Sequence, residues 1–348
     1  MYDTIRPVIW KDGALQLLDQ RLLPQREEYM LYHQPEAVAT AIREMVVRGA
    51  PAIGISAAYG VVLSAKRAVE QGRNHWRLQV EEDICHLAQA RPTAVNLNWA
   101  LAEMGRVMAE VEADSDPVSL LLQRAQQIHE DDIANNHLMG RMGAALIARG
   151  SGAVLTHCNA GALATGGYGT ALGVIRSAYA EQRIERVFAD ETRPWLQGAR
   201  LTAWELVHDR IPVTLIAEGA AARLMQQGEV SWVVVGSDRI AANGDVANKI
   251  GTCGVAILAR HYGVKMMVVA PTSTVDMALT SGDEIPIEER SGEELLNSFG
   301  TRVAAKGCQA WNPVFDITPA SLVDVIVTER GVVEAPNAEK MAAMMASN

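Results

Sequence analysis

Short apolar runs alternate with helical stretches from Gly152 onward, and this alternation constrains the fold more than any other feature of the chain. It is typical of a parallel sheet, because each parallel connection needs a crossover, which is usually a helix. The sequence therefore predicts an α/β domain with a parallel sheet and crossover helices. The predicted strands are Ala153 to Thr156, Val187 to Ala189, Val213 to Ile216, Trp232 to Val235, Met266 to Val269 and Val325 to Val327.

The first part of the chain has a different pattern. Between residues 35 and 150, apolar side chains recur at nearly helical spacing, as at Val38, Ile42 and Met45, which predicts amphipathic helices. Two apolar runs within residues 8–23 flank a Lys-Asp-Gly turn signal and predict a small β-hairpin. The predicted domains are a mainly helical one over residues 1–150 and the α/β domain over residues 151–348.

Polar and reactive side chains follow nearly every predicted strand. In open parallel sheets, ligands bind beyond the carboxyl ends of the strands, where a reversal of strand order opens a crevice. A purely structural sheet has no reason to place a thiol and several carboxylates along one edge. We therefore expect an active site formed from His157-Cys158-Asn159, Asp190-Glu191-Thr192-Arg193, Glu218, Gly236-Ser237-Asp238-Arg239, Pro271-Thr272-Ser273 and Thr328-Glu329-Arg330.

Composition disfavours several classes of protein. The 348 residues carry 31 basic and 41 acidic side chains, and the net charge of −10 argues against nucleic acid or an anionic membrane as a partner. The four cysteines form no C-x-x-C pair, which argues against a zinc ribbon and a disulfide framework. The eight histidines form no H-E-x-x-H motif, and no stretch reaches about 18 uninterrupted apolar residues. We expect a cytoplasmic protein that needs no metal.

A glycine-rich segment, residues 164–170, follows the first predicted strand and precedes a helix. Its backbone amides could hold a phosphate at the positive end of that helix. The dinucleotide fingerprint G-x-G-x-x-G is incomplete, because Leu172 stands where the third glycine is required. Asp190 lies about twenty residues further on, as a ribose-binding acid would. A dinucleotide site is therefore a weaker alternative, and a turn that binds no ligand is another.

Cys158 and Asp238 are the candidates for catalysis. A thiol after an apolar strand is most often inert and buried, unless a nearby helix N-terminus lowers its pKa. Asp238 follows an apolar strand that should desolvate it and raise its pKa toward the value that a general acid needs. A salt bridge to Arg239 or a helix cap is the structural alternative. Because adjacent strand residues point to opposite faces, we do not expect His157 to form a dyad with Cys158.

Arg48, Arg91, Arg193 and Lys249 lie in turns that contain glycine or proline, or beside strand ends. Cations in such places can bind a phosphate, although each alone is more often a solvated or salt-bridged side chain. Several of them in an acidic chain, together with the glycine-rich segment, indicate a small phosphorylated ligand. The residues alone lead as far as a phosphosugar or nucleotide enzyme.

Several long motifs, in order, resemble the methylthioribose-1-phosphate isomerases of the initiation factor 2B alpha, beta and delta-like family. The resemblance runs from near residue 40 to past residue 330. The motifs that carry it are residues 48–54 (RGAPAIG), 91–97 (RPTAVNL), 156–161 (THCNAG), 191–200 (ETRPWLQGAR), 236–245 (GSDRIAANGD), 248–252 (NKIGT), 270–274 (APTST) and 285–290 (IPIEER).

The resemblance implies a Rossmann-like second domain, a homodimer without a cofactor, and conversion of 5-methylthioribose 1-phosphate to 5-methylthioribulose 1-phosphate in methionine salvage. It implies that Asp238 is the proton donor and that Cys158 stabilises the transition state. It further implies that the substrate is contacted by Arg48, Gly49, Ala50, Arg91, Gln197, Asn248 and Lys249.

Two other functions remain open within the same resemblance. One is isomerisation of another pentose 1-phosphate, such as ribose 1,5-bisphosphate or 5-deoxyribose 1-phosphate. The other is a regulatory subunit of a translation initiation exchange factor, without activity. Those subunits generally lack the Cys and Asp pair, so Cys158 and Asp238 favour an enzyme. A nicotinamide oxidoreductase is disfavoured by the incomplete fingerprint.

Overall fold

The computed structural model describes residues 2–72, 75–92, 94–112 and 115–347. The chain forms two compact units: the first contains Met1–His137 and Ala160–Gly169, and the second contains Leu138–Asn159 and Thr170–Asn348. These units differ from the predicted division in two segments, because residues 138–150 belong to the second unit and residues 160–169 to the first. The division at residue 150 remains a proposal for the domains.

The first unit consists of a three-stranded antiparallel sheet and a group of helices. Its strands are β1 Val8–Lys11, β2 Ala14–Leu18 and β3 Tyr29–Tyr32, and its helices are α1 Pro35–Arg43, α2 Ala50–Gln71, α3 Trp76–Ala88, α4 Val95–Glu110 and the first part of α5 Pro117–Leu146. Asp12 and Gly13 both have positive φ, 53° and 72°, as a two-residue turn that matches the strand twist requires. The predicted hairpin is confirmed, and β3 is a strand that the sequence did not predict.

Helix α2 is the core of the first unit. It is buried on nearly all sides, and small residues let its neighbours approach closely: a Cβ on Gly54 would lie 2.7 Å from the carbonyl oxygen of Asn96 on α4. By length and apolar composition it is the one helix of the described residues that could cross a bilayer, yet 83% of its most apolar window is buried inside the protein. Burial all round is the pattern of a core helix.

The second unit is built on a seven-stranded sheet in the order β16-β15-β10-β7-β4-β5-β6. Its strands are β4 Ala153–Thr156, β5 Arg186–Asp190, β6 Val213–Ile216, β7 Val230–Val235, β10 Lys265–Val269, β15 Val325–Thr328 and β16 Gly331–Glu334. All neighbours pair in parallel except β15 with β16. The six parallel strands contain the six predicted ones, and their order reverses between β4 and β7, as in a doubly wound Rossmann-like sheet.

Helices and a smaller sheet complete the second unit. The helices are the end of α5, α6 Ala171–Ala180, α7 Ala203–His208, α8 Ala221–Gln226, α9 Thr252–Tyr262, α10 Glu293–Leu296 and α11 Ala338–Ala346. The smaller strands, which the sequence did not predict, are β8 Arg239–Ala241, β9 Val246–Lys249, β11 Val275–Asp276, β12 Asn297–Ser298, β13 Thr301–Arg302 and β14 Phe315–Thr318. The order β11-β8-β9-β14 places β9, which carries two candidate site residues, between two partners.

Close packing explains why the units depart from the predicted boundary. A Cβ on Gly143, in the last turns of α5, would lie 2.5 Å from the side chain of Val174 on α6, so the end of α5 packs within the second unit. In the first unit, a Cβ on Gly49 would lie 2.6 Å from Ala164, which brings residues 160–169 against the start of α2.

Candidate active site

Cys158 and Asp238 follow the two strands between which the order of the sheet reverses. Strands β4 and β7 pair in parallel, with Leu155 opposite Val233, so both chain segments leave the sheet at the same edge. Cys158 is buried, with 9% of its surface exposed, and Asp238 is half-buried. A crevice at such a reversal is where open parallel sheets bind ligands.

The backbone of Cys158 is held in the left-handed region, at φ 62°. Non-glycine residues rarely adopt this conformation, which costs about 1–2 kcal/mol. Two threonines secure it: the Cys158 N–H donates to Thr192 Oγ1 at 2.8 Å, and Thr202 Oγ1 donates to the Cys158 carbonyl at 2.6 Å. Strained backbone that the surroundings over-determine is a common property of catalytic residues.

A π-helical turn, Gly198–Thr202, carries Thr202 and begins directly after Gln197. A Cβ on Gly198 would overlap the carbonyl oxygen of Asp190, so only glycine lets this turn approach the end of β5. Gln197 is 4% exposed, and its Oε1 is buried without a hydrogen-bond partner among the described residues. Leaving a buried acceptor unsatisfied is costly, and a ligand hydroxyl would satisfy it.

A buried charge network supports the residue after Cys158. The Asn159 amide donates to Glu205 Oε1 at 2.9 Å, and Glu205 Oε2 accepts from Arg176 at 2.9 Å. Arg176 also pairs with Asp209 at 2.6 Å, and its side chain is 1% exposed. These side chains fix the loop that leaves β4, so Cys158 is attached to a rigid support.

Asn248 and Lys249 lie at the end of β9 and are each 5% exposed. The Asn248 amide donates to Thr252 Oγ1 at 3.0 Å, which positions it against the start of α9. Lys249 Nζ donates to the Val314 carbonyl at 2.9 Å and stands 4.6 Å from the ring centroid of Phe315. These contacts reduce the cost of keeping an ammonium group out of water.

Arg48, Gly49 and Ala50 form the start of α2 in the first unit. Gly49 is the N-cap at φ 90°, and no side chain caps the helix. Pro51 has no N–H and the Ile53 N–H donates to the Gly49 carbonyl at 3.0 Å, so only the amides of Ala50 and Ala52 in this first turn could donate to an anion. Arg48 is 9% exposed, and its Nε donates to Gln20 Oε1 at 3.4 Å. Gln20 in turn donates to the Leu163 carbonyl at 2.7 Å, which fixes the direction of the Arg48 side chain.

Arg91 lies in the same unit, at the bend between α3 and α4, and is half-buried. The Arg91 carbonyl accepts from the Ala94 N–H at 3.0 Å and so begins the turn that leads into α4.

The glycine-rich segment does not form the expected phosphate cradle. The amide of Gly166 donates to Asp132 Oδ2 at 2.7 Å, that of Gly167 to Thr165 Oγ1 at 3.2 Å, and that of Gly169 to the Gly167 carbonyl at 2.7 Å. Amides that already donate within the protein cannot bind a phosphate without breaking these bonds. The expectation is wrong for these three amides, because each already donates within the protein, and at Gly166 a carboxylate from α5 takes the place of the anion.

Several buried acids near the strand ends have shifted pKa values. Burial raises the pKa of Asp190 and of Glu218. The pKa of Asp245 is lowered: burial acts in the opposite direction, but N–H groups of Gly282 and Ala320 and the Asn243 amide stabilise its charge. Asp245 is therefore a structural acceptor rather than an acid. Among the described residues, no three His, Cys, Asp or Glu side chains are grouped to hold a metal ion.

The sequence profile described as "Initiation factor 2 subunit family" matches residues 46–335. The chain belongs to the initiation factor 2 subunit family. The methylthioribose-1-phosphate isomerase of Thioalkalivibrio sulfidiphilus is 62% identical to it, over 99% of this chain and 98% of the relative. The resemblance stated from the motifs is thereby confirmed.

Solved structures of the family share the fold. The crystal structure of 5-methylthioribose 1-phosphate isomerase from Pyrococcus horikoshii is 43% identical, with a TM-score of 0.94 over 99% of this chain and 97% of that one. The structure of translation initiation factor eIF-2B, subunit delta, from A. fulgidus is 39% identical, with a TM-score of 0.87 over 98% of this chain and 100% of that one. The predicted α/β fold class is confirmed.

The sequence placed Thr192 in the expected active site, at the end of a predicted strand, but did not indicate that it holds the Cys158 N–H. Thr202 gave no such signal, because it lies 44 residues from Cys158 within what reads as an ordinary helix. The partners of His157 were missed as well: its ring nitrogens face Asp190 and the Ile250 carbonyl, so neither is directed at Cys158.

Proposed function

We propose that the chain is an enzyme of methionine salvage that isomerises 5-methylthioribose 1-phosphate to 5-methylthioribulose 1-phosphate. The observation that carries the proposal is the placement of Cys158 and Asp238 after β4 and β7, on either side of the reversal in strand order. The names of relatives at 62% and 43% identity support the same reaction.

Asp238 acts as the acid that opens the sugar ring. The phosphate on the anomeric oxygen prevents the free opening by which ordinary aldoses reach an aldehyde, so the ring C–O bond must be broken with a proton supplied to the ring oxygen. A carboxyl group at an apolar strand end can remain protonated and deliver that proton. The Asp238 N–H donates to the Ala247 carbonyl at 3.0 Å, which fixes the residue against β9.

Hydrogen then moves from C2 to C1 of the opened sugar. In a proton transfer through an enediol-like species, Cys158 is the base that removes the C2 proton. In a hydride shift, Cys158 is a polar group that stabilises the transition state. The rigid backbone around Cys158 serves either route, because both need the sulfur at a fixed place.

Cations and amides bind the substrate. Among the proposed substrate contacts, Arg48 and Arg91 in the first unit and Lys249 in the second are cations, the type of side chain that binds a phosphate. Gln197 Oε1 has no hydrogen-bond partner among the described residues, and a sugar hydroxyl can donate to it. Gly49, Ala50 and Asn248 are the other proposed contacts with the substrate. We further propose that the enzyme is a cytoplasmic homodimer and needs no metal or other cofactor.

The first experiment is incubation of the purified protein with 5-methylthioribose 1-phosphate, with the ketose product followed by NMR. Asp238→Asn retains shape and hydrogen bonding but lacks a transferable proton, so kcat should fall by about 10²–10⁴-fold with little change in substrate affinity. Asp283→Asn, at an exposed site, is the matched control and should behave as the unmodified chain. Retention of most of kcat by Asp238→Asn would make Asp238 a structural residue. The ring-opening acid would then be sought at Glu191 or Asp190, since the lowered pKa of Asp245 keeps that third alternative charged.

Substrate range separates the alternatives. Faster turnover of ribose 1,5-bisphosphate or 5-deoxyribose 1-phosphate than of the methylthio sugar would assign a different pentose isomerase. The similarity to an initiation factor subunit at 39% identity favours a regulatory role as the second candidate. Absence of turnover with all three sugars would support that role.

A further inference from the structure

His157, the residue before Cys158, is fully buried between groups from two other segments of the second unit. Its Nδ1 lies 3.1 Å from Asp190 Oδ2 at the end of β5, and its Nε2 lies 2.9 Å from the Ile250 carbonyl. Ile250 directly follows Asn248 and Lys249. One imidazole therefore connects the β4 end that carries Cys158 with the segment that carries two proposed substrate contacts.

The two contacts fix how many protons the pair must hold. A carbonyl oxygen only accepts, so His157 Nε2 must carry a hydrogen. The contact between Nδ1 and Asp190 Oδ2 needs a second hydrogen, either on an imidazolium facing a carboxylate or on a carboxylic acid facing a neutral ring. Without it, a nitrogen lone pair would face a buried carboxylate at 3.1 Å. Both side chains have 0% exposure, so water cannot relieve that repulsion.

The surrounding groups favour keeping this proton. Among the described residues, acids near the pair include Glu218, which follows β6, and Asp316 on β14, which in turn lies near Lys249 on β9. Glu218 and His157 both crowd Gly251, where a Cβ would lie 2.7 Å from Glu218 Oε1 and 2.8 Å from His157 Cε1. Burial lowers the pKa of His157, but Asp190 and Glu218 more than offset it and the pKa is raised.

We propose that His157 and Asp190, sharing this proton, are positioning residues that hold Cys158 and the Asn248-Lys249 segment in their catalytic places. The role in catalysis rests on the proposed function, whereas the positioning itself does not. His157 connects the two segments through hydrogen bonds to Asp190 and Ile250, and does not touch the substrate.

The sign of the pH effect follows from the shared proton. Both pKa values are raised in the folded protein, so the stabilisation by the pair is complete below the ordinary pKa of histidine, about 6.5, and is lost as pH rises through the raised value. Loss of the proton should loosen the β4 end first, because His157 is part of it.

NMR tests the proton directly in the unmodified chain. In histidine-labelled protein, the His157 signals are assigned by their loss in His157→Gln. The His157 ring shifts should either not titrate or titrate with a midpoint above about 6.5, the ordinary value for histidine. A midpoint at or below about 6.5 for His157 would overturn the proposal. In Asp190→Asn, the side-chain amide can donate a hydrogen bond to Nδ1 of a neutral His157 ring. The contact between the two side chains therefore no longer needs the additional proton in that variant.

Alkylation tests the position of Cys158 without any substrate. The variant His157→Gln retains a donor for the Ile250 carbonyl but loses the contact with Asp190. At pH 7 it should therefore open locally, and iodoacetamide should alkylate Cys158 about 10-fold faster or more. Cys85 and Cys308 are exposed and serve as internal references in peptide mass spectrometry. The matched control is His261→Gln, at an exposed site on α9. An unchanged Cys158 rate in His157→Gln would refute positioning.

Kinetics complete the test. His157→Gln should lower kcat by about 10- to 100-fold with KM within about threefold, as misplacement of a catalytic group does. Asp190→Asn should retain more activity than His157→Gln, because it keeps the partner of Nδ1. A loss of kcat with unchanged Cys158 alkylation would overturn the positioning role. If the unmodified chain shows no turnover, the proposed function fails, while NMR and alkylation still decide the positioning.

Discussion

Replacing Arg176 with methionine removes the cation that faces two buried carboxylates. Arg176 contacts Glu205 at 2.9 Å and Asp209 at 2.6 Å, and the three side chains are 1%, 0% and 2% exposed. Methionine fills much of the same volume, so the change is mainly one of charge. The variant would leave two acids out of water without a counter-charge.

The size of the effect follows from this burial. Removing one partner of a buried ion pair costs about 3–5 kcal/mol, because the remaining charge has lost its solvent and its partner. For a unit of about 200 residues, such as the second one here, each kcal/mol lowers Tm by about 2–4 °C. We therefore expect Tm of Arg176→Met to fall by about 6–20 °C.

The assay is thermal unfolding followed by circular dichroism and by calorimetry. Arg302→Met is the matched control, because Arg302 pairs with Glu293 at 3.9 Å with both side chains at least 38% exposed. Such surface pairs contribute about 1 kcal/mol or less. The Tm of the control should therefore move by less than about 4 °C.

Two further measurements identify the cause as charge. Burial raises the pKa of Asp209 even beside Arg176, so without the arginine Asp209 should bind a proton more readily. The Tm difference from the unmodified chain should therefore narrow as pH falls and the unpaired Asp209 is neutralised. Adding Glu205→Gln and Asp209→Asn to Arg176→Met should restore part of Tm. A Tm shift for Arg176→Met no larger than that of Arg302→Met would refute the reasoning.

Three other outcomes are expected. Arg91→Ala should raise KM by about 10-fold or more with kcat nearly unchanged, because a charge-assisted bond to phosphate acts in ground and transition states alike; an unchanged KM would argue against this role. Gly49→Ala should destabilise the protein by about 2–5 kcal/mol, because the new Cβ would collide with Ala164 and the backbone of residue 49 has a φ of 90°. Gly105→Ala on α4, where the new Cβ meets open space, should stabilise the protein slightly. Exhaustive treatment with EDTA should leave turnover unchanged, and restoration of lost activity by one divalent metal would contradict this.

The local pattern of the sequence was enough to predict the six parallel strands of the main sheet and the first hairpin, but not the antiparallel strand β16. Ala153–Thr156 and Val213–Ile216 form strands with the predicted bounds, because short apolar runs between helical stretches have few other ways to bury themselves. The ends of these strands also pointed to Cys158 and Asp238, since the carboxyl edge of a parallel sheet is where ligands bind.

Only the tertiary structure decided what surrounds these residues. The order of the strands places Cys158 and Asp238 at the reversal, and no local pattern contains that order. Arg176 has the sequence properties of a surface cation, yet it is fully buried, because two acids 29 and 33 residues away neutralise it. The glycine-rich segment suggested a phosphate cradle, yet Asp132 on α5 takes the Gly166 amide. Whether a polar group binds a ligand or the protein itself depends on which distant side chains packing brings to it, because hydrogen bonds and ion pairs act only at contact distance.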